Sequence, residues 1–241
     1  MERVNILGLP VDKVNMVGAV AHIRDLISTY RTFQVITLNS EMAMTAQDDS
    51  TLHHIISKAD LVVPDGAGIV LASRILGNPL PERVAGFDLM QELLADAACH
   101  KWPVFFLGAK PGVADKAVEC IMTRFPGLVV AGVHHGFFSE EEEAGIIREI
   151  NSKKARLVFV GMGVSKQDYW IAKHKTQIKA AICMGVGGSF DVLAGNVKRA
   201  PGWMGRYGLE WLFRLACEPS RLLRMRALPK FIIKVFQEKL A

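Results

Sequence analysis

Asp65 sits in Val-Val-Pro-Asp-Gly, at the end of a strand-like run and just ahead of a helical stretch. A carboxylate at such a junction serves either as a helix N-cap or as a general base held in a cleft, and the two roles are compatible. Gly185-Val186-Gly187-Gly188-Ser189, followed by Asp191, reads as a glycine turn opening a helix. Glycines let a phosphate approach the backbone, and a helix start offers free N–H groups. The turn is not the dinucleotide fingerprint, because Lys166 and Phe190 stand where the third glycine would fall after Gly161-x-Gly163 and Gly185-x-Gly187. A P-loop lysine motif is absent as well, so nicotinamide and NTPase chemistry are not expected. His134-His135 has the residue type of a metal site, but neighbours on an extended segment face opposite ways. No other carboxylate or thiolate cluster has ligand spacing, and no Asp-x-Asp pair is present to hold a divalent ion on a diphosphate. No metal and no cofactor are expected. Any diphosphate would be met by arginines and backbone dipoles, for which Arg83, Arg214, Arg221 and Arg224 are available.

Positioning such residues needs a scaffold, and the chain alternates apolar runs with amphipathic stretches over about 190 residues. The runs are Val4–Leu9, Phe33–Leu38, Leu61–Val63, Val104–Leu107, Leu128–Val133, Leu157–Val160 and Ala181–Met184. Several are apolar throughout, as strands covered on both faces must be. Helical patterns fall between them at Val17–Thr29, Phe87–Ala98, Val113–Arg124 and Glu140–Asn151, the last opened by a capping box from Ser139 to Glu142. The alternation predicts an α/β, doubly wound, mostly parallel Rossmann-like sheet with a helical C-terminal appendage. Thr37 and Asn39, Asp65-Gly66, Gly108, His134-His135-Gly136, Gly161-Met162-Gly163 and Gly185–Ser189 all follow predicted strands. Ligands of open parallel sheets bind beyond the carboxyl ends of the strands, so these six loops predict one site.

The division falls at Ala200-Pro201-Gly202, giving a body of residues 1–200 and an appendage of residues 201–241. Gly202–Gly208 reads as a loop; Leu209–Cys217 and Arg221–Leu228 read as short helices, separated and ended by Pro219 and Pro229. Beyond them Phe231, Ile232, Val235 and Phe236 recur at helical spacing, flanked by Lys230 and Lys234. This stripe fits a helix packed on the body or an amphipathic helix lying on a membrane surface. From Trp203 onward there are eight basic and three acidic residues; removing them from 29 basic and 24 acidic leaves 21 of each. The whole excess of charge sits in the appendage, which points to an anionic partner. The apolar stripe favours lipid over nucleic acid, since phosphate contact alone needs no stripe. A detached appendage would expose apolar surface and drive homo-oligomer formation. Four scattered cysteines fit a reducing compartment. The start, MERVNILGLP, has neither a basic nor an apolar leader region, so a cytoplasmic place on the inner face of the membrane is expected.

The sequence resembles the WecG/TagA/CpsF family of bacterial glycosyltransferases. The resemblance rests on Thr37-Leu38-Asn39-Ser40-Glu41, Pro64-Asp65-Gly66-Ala67-Gly68, Leu80-Pro81-Glu82-Arg83-Val84-Ala85-Gly86-Phe87-Asp88, His134-His135-Gly136, Lys166-Gln167 and Gly185–Asp191. Lys198-Arg199-Ala200-Pro201, Gly208-Leu209-Glu210-Trp211 and Leu228-Pro229-Lys230-Phe231 continue it to the end. Within the family the chain is most similar to the N-acetylmannosaminyltransferases of wall teichoic acid assembly. The resemblance implies inverting, metal-independent transfer of N-acetylmannosamine from its UDP conjugate to the 4-hydroxyl of N-acetylglucosamine on undecaprenyl diphosphate. It implies Asp65 as the base, with Thr37, Asn39 and Gln167 orienting the sugars. Gly66, His135, Gly163, Gly187, Gly188, Ser189 and Asp191 would serve the donor. Arg83 and the tail residues Arg214, Arg221, Arg224 and Lys230 would meet diphosphate and membrane. This chain departs from the usual pattern at Ser165 (commonly proline), Asp168 (usually glutamate) and Phe137 (frequently tyrosine). Two other readings stay open: a different UDP-hexose donor such as the mannosaminuronate, and a non-catalytic nucleotide-sugar-binding module.

Overall fold

In the computed structural model the described residues are 1–29, 31–198, 200–201, 204, 212–213 and 227–240. The first apolar run does not form one strand of the main sheet. Leu7 and Gly8 take positive φ, 52° and 79°, and fold it into a hairpin of β1 (Arg3–Ile6) and β2 (Leu9–Asp12). Asn5 fixes the turn by accepting a 2.8 Å bond from the Gly8 N–H.

The remaining strands are β3 (Phe33–Leu38), β4 (Leu61–Pro64), β5 (Pro103–Gly108), β6 (Val129–His134), β7 (Leu157–Gly161) and β8 (Ile182–Gly185). They form one sheet, all parallel, in the order β4-β3-β8-β7-β5-β6. Every residue of β3, β4, β7 and β8 is buried, which is why these segments read as unbroken apolar runs.

Alternate strand residues feed opposite faces. Phe33, Val35, Val104, Phe106 and Phe159 pack under α1 (Met16–Ile27), α5 (Gly86–His100) and α6 (Val113–Arg124). Ile36, Leu38 and Val62 face α2 (Ser40–Asp48), α3 (Ser50–Lys58) and α4 (Ala67–Ile75). Phe105, Leu107, Val158 and Val160 face α7 (Glu140–Ser152) and α8 (Lys166–His174). The short α9 (Ser189–Leu193) follows β8 and buries Phe190 in the first of these layers. Burial on this scale, about 1.5–3 kcal/mol for each large apolar side chain, holds the strand ends in a fixed row. Local signals agree with the packing: Asn15, Asn39 and Asp49 cap α1, α2 and α3 through their side chains, and Ser139 with Glu142 forms the predicted capping box of α7.

The last helix, α10 (Ala227–Leu240), lies on α2 and α4. Phe231 and Val235 are buried in the second core layer, and Glu238 accepts a 3.0 Å bond from the Leu7 N–H of the hairpin. Pro229 was expected to end a helix; it stands instead inside this one, near the start of its described part. Ile233, Phe236 and Leu240 remain exposed. The predicted loop and short helices between Gly202 and Arg226 lie largely outside the described residues. Among the described residues no helix is long and apolar enough to cross a membrane.

Candidate active site

A cavity of about 680 Å³ opens along the C-terminal edge of the sheet. All six strand-to-helix loops line it, as the sequence predicted: Asn39 after β3, Asp65 after β4, Lys110 after β5, Phe137 after β6, Gly163 after β7 and Gly187 after β8. Strand order therefore fixes the order of side chains across it. Asp65 comes first, then Thr37 and Asn39, the glycine turn, Gln167, Lys110 and finally Phe137.

The Asp65 carboxylate is held from two sides. Its Oδ1 accepts a 2.9 Å bond from the N–H of Gly86, the first residue of α5, and lies 3.8 Å from the Arg83 guanidinium. Arg83 also donates its Nε–H to the Asp65 carbonyl at 2.5 Å. Asp65 does not cap the helix it precedes, since α4 has Gly66 at that position and no side-chain cap. The carboxylate instead ties the end of β4 to the start of α5, so one pair of residues from distant segments forms a rigid wall.

Thr37 is the last residue but one of β3, with its hydroxyl 3.5 Å from the carbonyl of Gly185. Asn39 commits its Oδ1 to capping α2 through the Met42 N–H, at 3.0 Å, so its NH₂ group is what it can offer a ligand. Gln167 is 3% exposed, and its Oε1 accepts from the Gly187 N–H at 2.9 Å. Its amide lies so close to Gly185 that a Cβ there would come within 2.4 Å of Nε2, so any larger residue would displace the buried Gln167 side chain. The side chain on α8 thus sets the shape of the turn after β8.

Gly188, Ser189 and Asp191 line the cavity with Gly163 and Gly187, but two expected residues do not. Gly66 packs against Asn39, and His135 receives the Phe137 N–H on its Nδ1 at 3.3 Å in the exposed loop after β6. The two histidines also differ from expectation. Strand β6 ends at His134, the chain turns there, and the rings lie 4.8 Å apart instead of facing opposite ways. Among the described residues no three His, Cys, Asp or Glu side chains come together as metal ligands. Lys230 is on the exposed side of α10 and away from the cavity, while Arg214, Arg221 and Arg224 lie outside the described residues.

Sequence reasoning missed Lys110 in Gly108-Ala109-Lys110-Pro111, although the same strand-end rule points to it. Lys166 lines the cavity beside Gln167, with its Nζ 3.4 Å from the carbonyl of Gly136. Behind these residues, Asp168 is fully buried, and neither carboxyl oxygen has a hydrogen-bond partner among the described residues. Burial pushes its pKa up to about 7, partly offset by the nearby backbone amides of Ser165 and of Asp168 itself. No simple feature of the sequence announces such a buried acid one residue from a cavity-lining glutamine.

The chain is 37% identical over 207 residues to an N-acetylglucosaminyldiphosphoundecaprenol N-acetyl-beta-D-mannosaminyltransferase of Bacillus spizizenii, covering 86% of this chain and 80% of that one. Proteins of the same name from Bacillus subtilis and Staphylococcus aureus are 33% and 34% identical, over 99% and 98% of this chain and 93% of each relative. The profile of the family described as "Glycosyl transferase WecG/TagA/CpsF family" matches residues 4–241. The match runs through all six loops that build the cavity and on into α10, and on that breadth this chain belongs to the WecG/TagA/CpsF family of glycosyl transferases.

Proposed function

We propose that this chain moves N-acetylmannosamine from UDP-N-acetylmannosamine to the 4-hydroxyl of N-acetylglucosamine on undecaprenyl diphosphate. The product is a β-1,4-linked disaccharide lipid of the kind that begins a wall teichoic acid linkage unit. The relatives carry this donor sugar and acceptor in their names. The observation that carries the reading is the Asp65 carboxylate at the cavity wall, oriented by the Gly86 N–H and beside Arg83.

In this reading Asp65 takes the proton from the acceptor hydroxyl as its oxygen attacks the anomeric carbon. The bond from that carbon to the donor phosphate breaks on the opposite side, UDP leaves, and the configuration inverts. Thr37 and the Asn39 NH₂ group orient the two sugars, while Gln167 fixes the Gly187 turn against the donor. The reaction needs no metal, because protein cations and backbone N–H groups face the diphosphate. The exposed Ile233, Phe236 and Leu240 of α10, with Lys230 and Lys234, suit a peripheral position on an anionic membrane where the lipid acceptor resides.

The test is UDP release from UDP-N-acetylmannosamine with a polyprenyl-diphosphate N-acetylglucosamine acceptor, with EDTA present. Wild type should turn over, and Asp65→Asn should lose activity by about a thousandfold. No release with that donor, but release with UDP-N-acetylmannosaminuronate, would replace the donor in this reading. Release only after magnesium is restored would overturn the metal-independent step. Turnover by Asp65→Asn at the wild-type rate would remove Asp65 as the base.

A further inference from the structure

The two sides of the cavity carry different charge, and the fold sets the distance between them. Asp65, Arg83 and Glu41 stand at the β3–β4 side; Lys110 and Lys166 follow β5 and β7, which are neighbours paired from Val104–Leu157 to Gly108–Gly161. Asp65 after β4 and Lys166 after β7 are three strand spacings apart, about 14 Å along the sheet edge. That leaves room for a sugar between the base and the first phosphate. The glycine turn after β8 lies between them, and its backbone can approach a ligand closely.

Arg83 is turned toward the base: its Nε donates to the Asp65 carbonyl and its guanidinium is 3.8 Å from Oδ1. The two lysines are placed otherwise. Lys166 opens α8 with Nζ 3.4 Å from the Gly136 carbonyl, and Lys110 lies in the turn between β5 and α6. Both line the cavity and both are exposed to it. An inverting displacement needs nucleophile and leaving group on opposite sides of the anomeric carbon. With the base at β4, the leaving phosphates lie toward β7 and β5.

Resting on the proposed transfer reaction, we propose that Lys110 and Lys166 are the residues that bind the donor diphosphate and take up the negative charge developing on it as the sugar leaves. They therefore select a nucleoside diphosphate over a nucleoside or monophosphate. The glycine turn lies between Asp65 and these lysines, where its backbone faces the ligand, and Gln167 holds it in place through the Gly187 N–H. Two ammonium groups then do for this diphosphate what a divalent ion does elsewhere.

The proposal is tested by calorimetric binding of UDP, UMP and uridine to the full chain, for wild type, Lys110→Gln, Lys166→Gln and Lys166→Arg. Each charge removal should weaken UDP by about tenfold, in line with loss of one charge-assisted contact, and leave uridine within about twofold. Lys166→Arg should recover most of the lost UDP affinity. Melting temperatures should stay at the wild-type value, since both side chains are exposed. UDP affinity unchanged in both Gln variants, or UDP and uridine weakened alike, would overturn the assignment. Should wild type bind another nucleoside diphosphate in preference to UDP, the donor in the proposed reaction fails while the same three-ligand comparison, run with that base, still decides the lysines. Failure of wild type to bind any nucleoside diphosphate would overturn both.

Discussion

The cavity joins a wired side to an open one. Toward β3, β4 and β8, nearly every polar group already has a partner in the protein: Asp65 with Gly86 and Arg83, Asn39 with Met42, Gln167 with Gly187. Toward β5 and β6, Lys110 and Phe137 project with little to hold them, and Phe137 is 64% exposed. Reacting groups gain from being fixed before substrate arrives, because their orientation then costs nothing at the moment of reaction. Groups that only grip a leaving ligand gain from staying mobile, since they must also let it go.

Substitutions can break that contrast at graded cost. Asp65→Asn should act almost wholly on turnover, by about a thousandfold, with UDP affinity unchanged, because the lost function is proton transfer. A large loss of UDP affinity would show that the wired side also grips the donor. The lysine variants come next, at about tenfold each in UDP binding. Gln167→Ala tests the seam between the two sides. It leaves the Gly187 N–H without its acceptor and opens space against Gly185, so stability should fall by about 1–3 kcal/mol and kcat/KM with it. Thermal melts beside steady-state kinetics separate the two effects; a lowered Tm with intact kcat/KM would make Gln167 a purely structural residue.

Asp168 gives the smallest effect on chemistry and the clearest on pH. Its folded pKa is raised to about 7, so between the ordinary aspartate value and that point the folded chain keeps a proton that the unfolded chain has lost. Wild-type stability therefore declines as pH rises through that interval and levels off above it. Asp168→Asn has no proton to lose, so its Tm relative to wild type should climb between about pH 4 and about pH 7 and level off above, with an upper bound on the order of 4 kcal/mol. Parallel Tm curves for the two proteins would show that Asp168 finds a partner in solution.

The layout of the site was legible in the sequence because parallel strands announce themselves as apolar runs and their loops must share one edge. Six of the seven predicted strands entered the sheet, and ten of the twelve body residues picked for the site line the cavity. The exceptions have local causes. Val4–Leu9 has the composition of a buried strand, but Leu7-Gly8 turns it on itself, and a turn of two residues leaves no mark on an apolar average. Asp65 was readable as a cap or a base; that it caps nothing on α4 and reaches across to Gly86 depends on a partner 21 residues away. Lys110 was overlooked because a single lysine in a loop looks like ordinary solvated surface. Side-chain pairing across segments, unlike strand composition, has no period to read.

The strand order has a consequence for synthesis. Strand β8 pairs with β3 on one side, Phe33 against Ile182, and with β7 on the other, Leu157 against Ile182. Until β8 has been synthesised, β4-β3 and β7-β5-β6 have no strand to join them into one sheet. Closure waits for a contact about 150 residues long in sequence, the kind that makes folding slow and exposes sticky edges meanwhile. The glycine turn at Gly185–Ser189 follows that late strand, so the sheet and the cavity at its edge are completed in one event, and a chain stalled before it has neither.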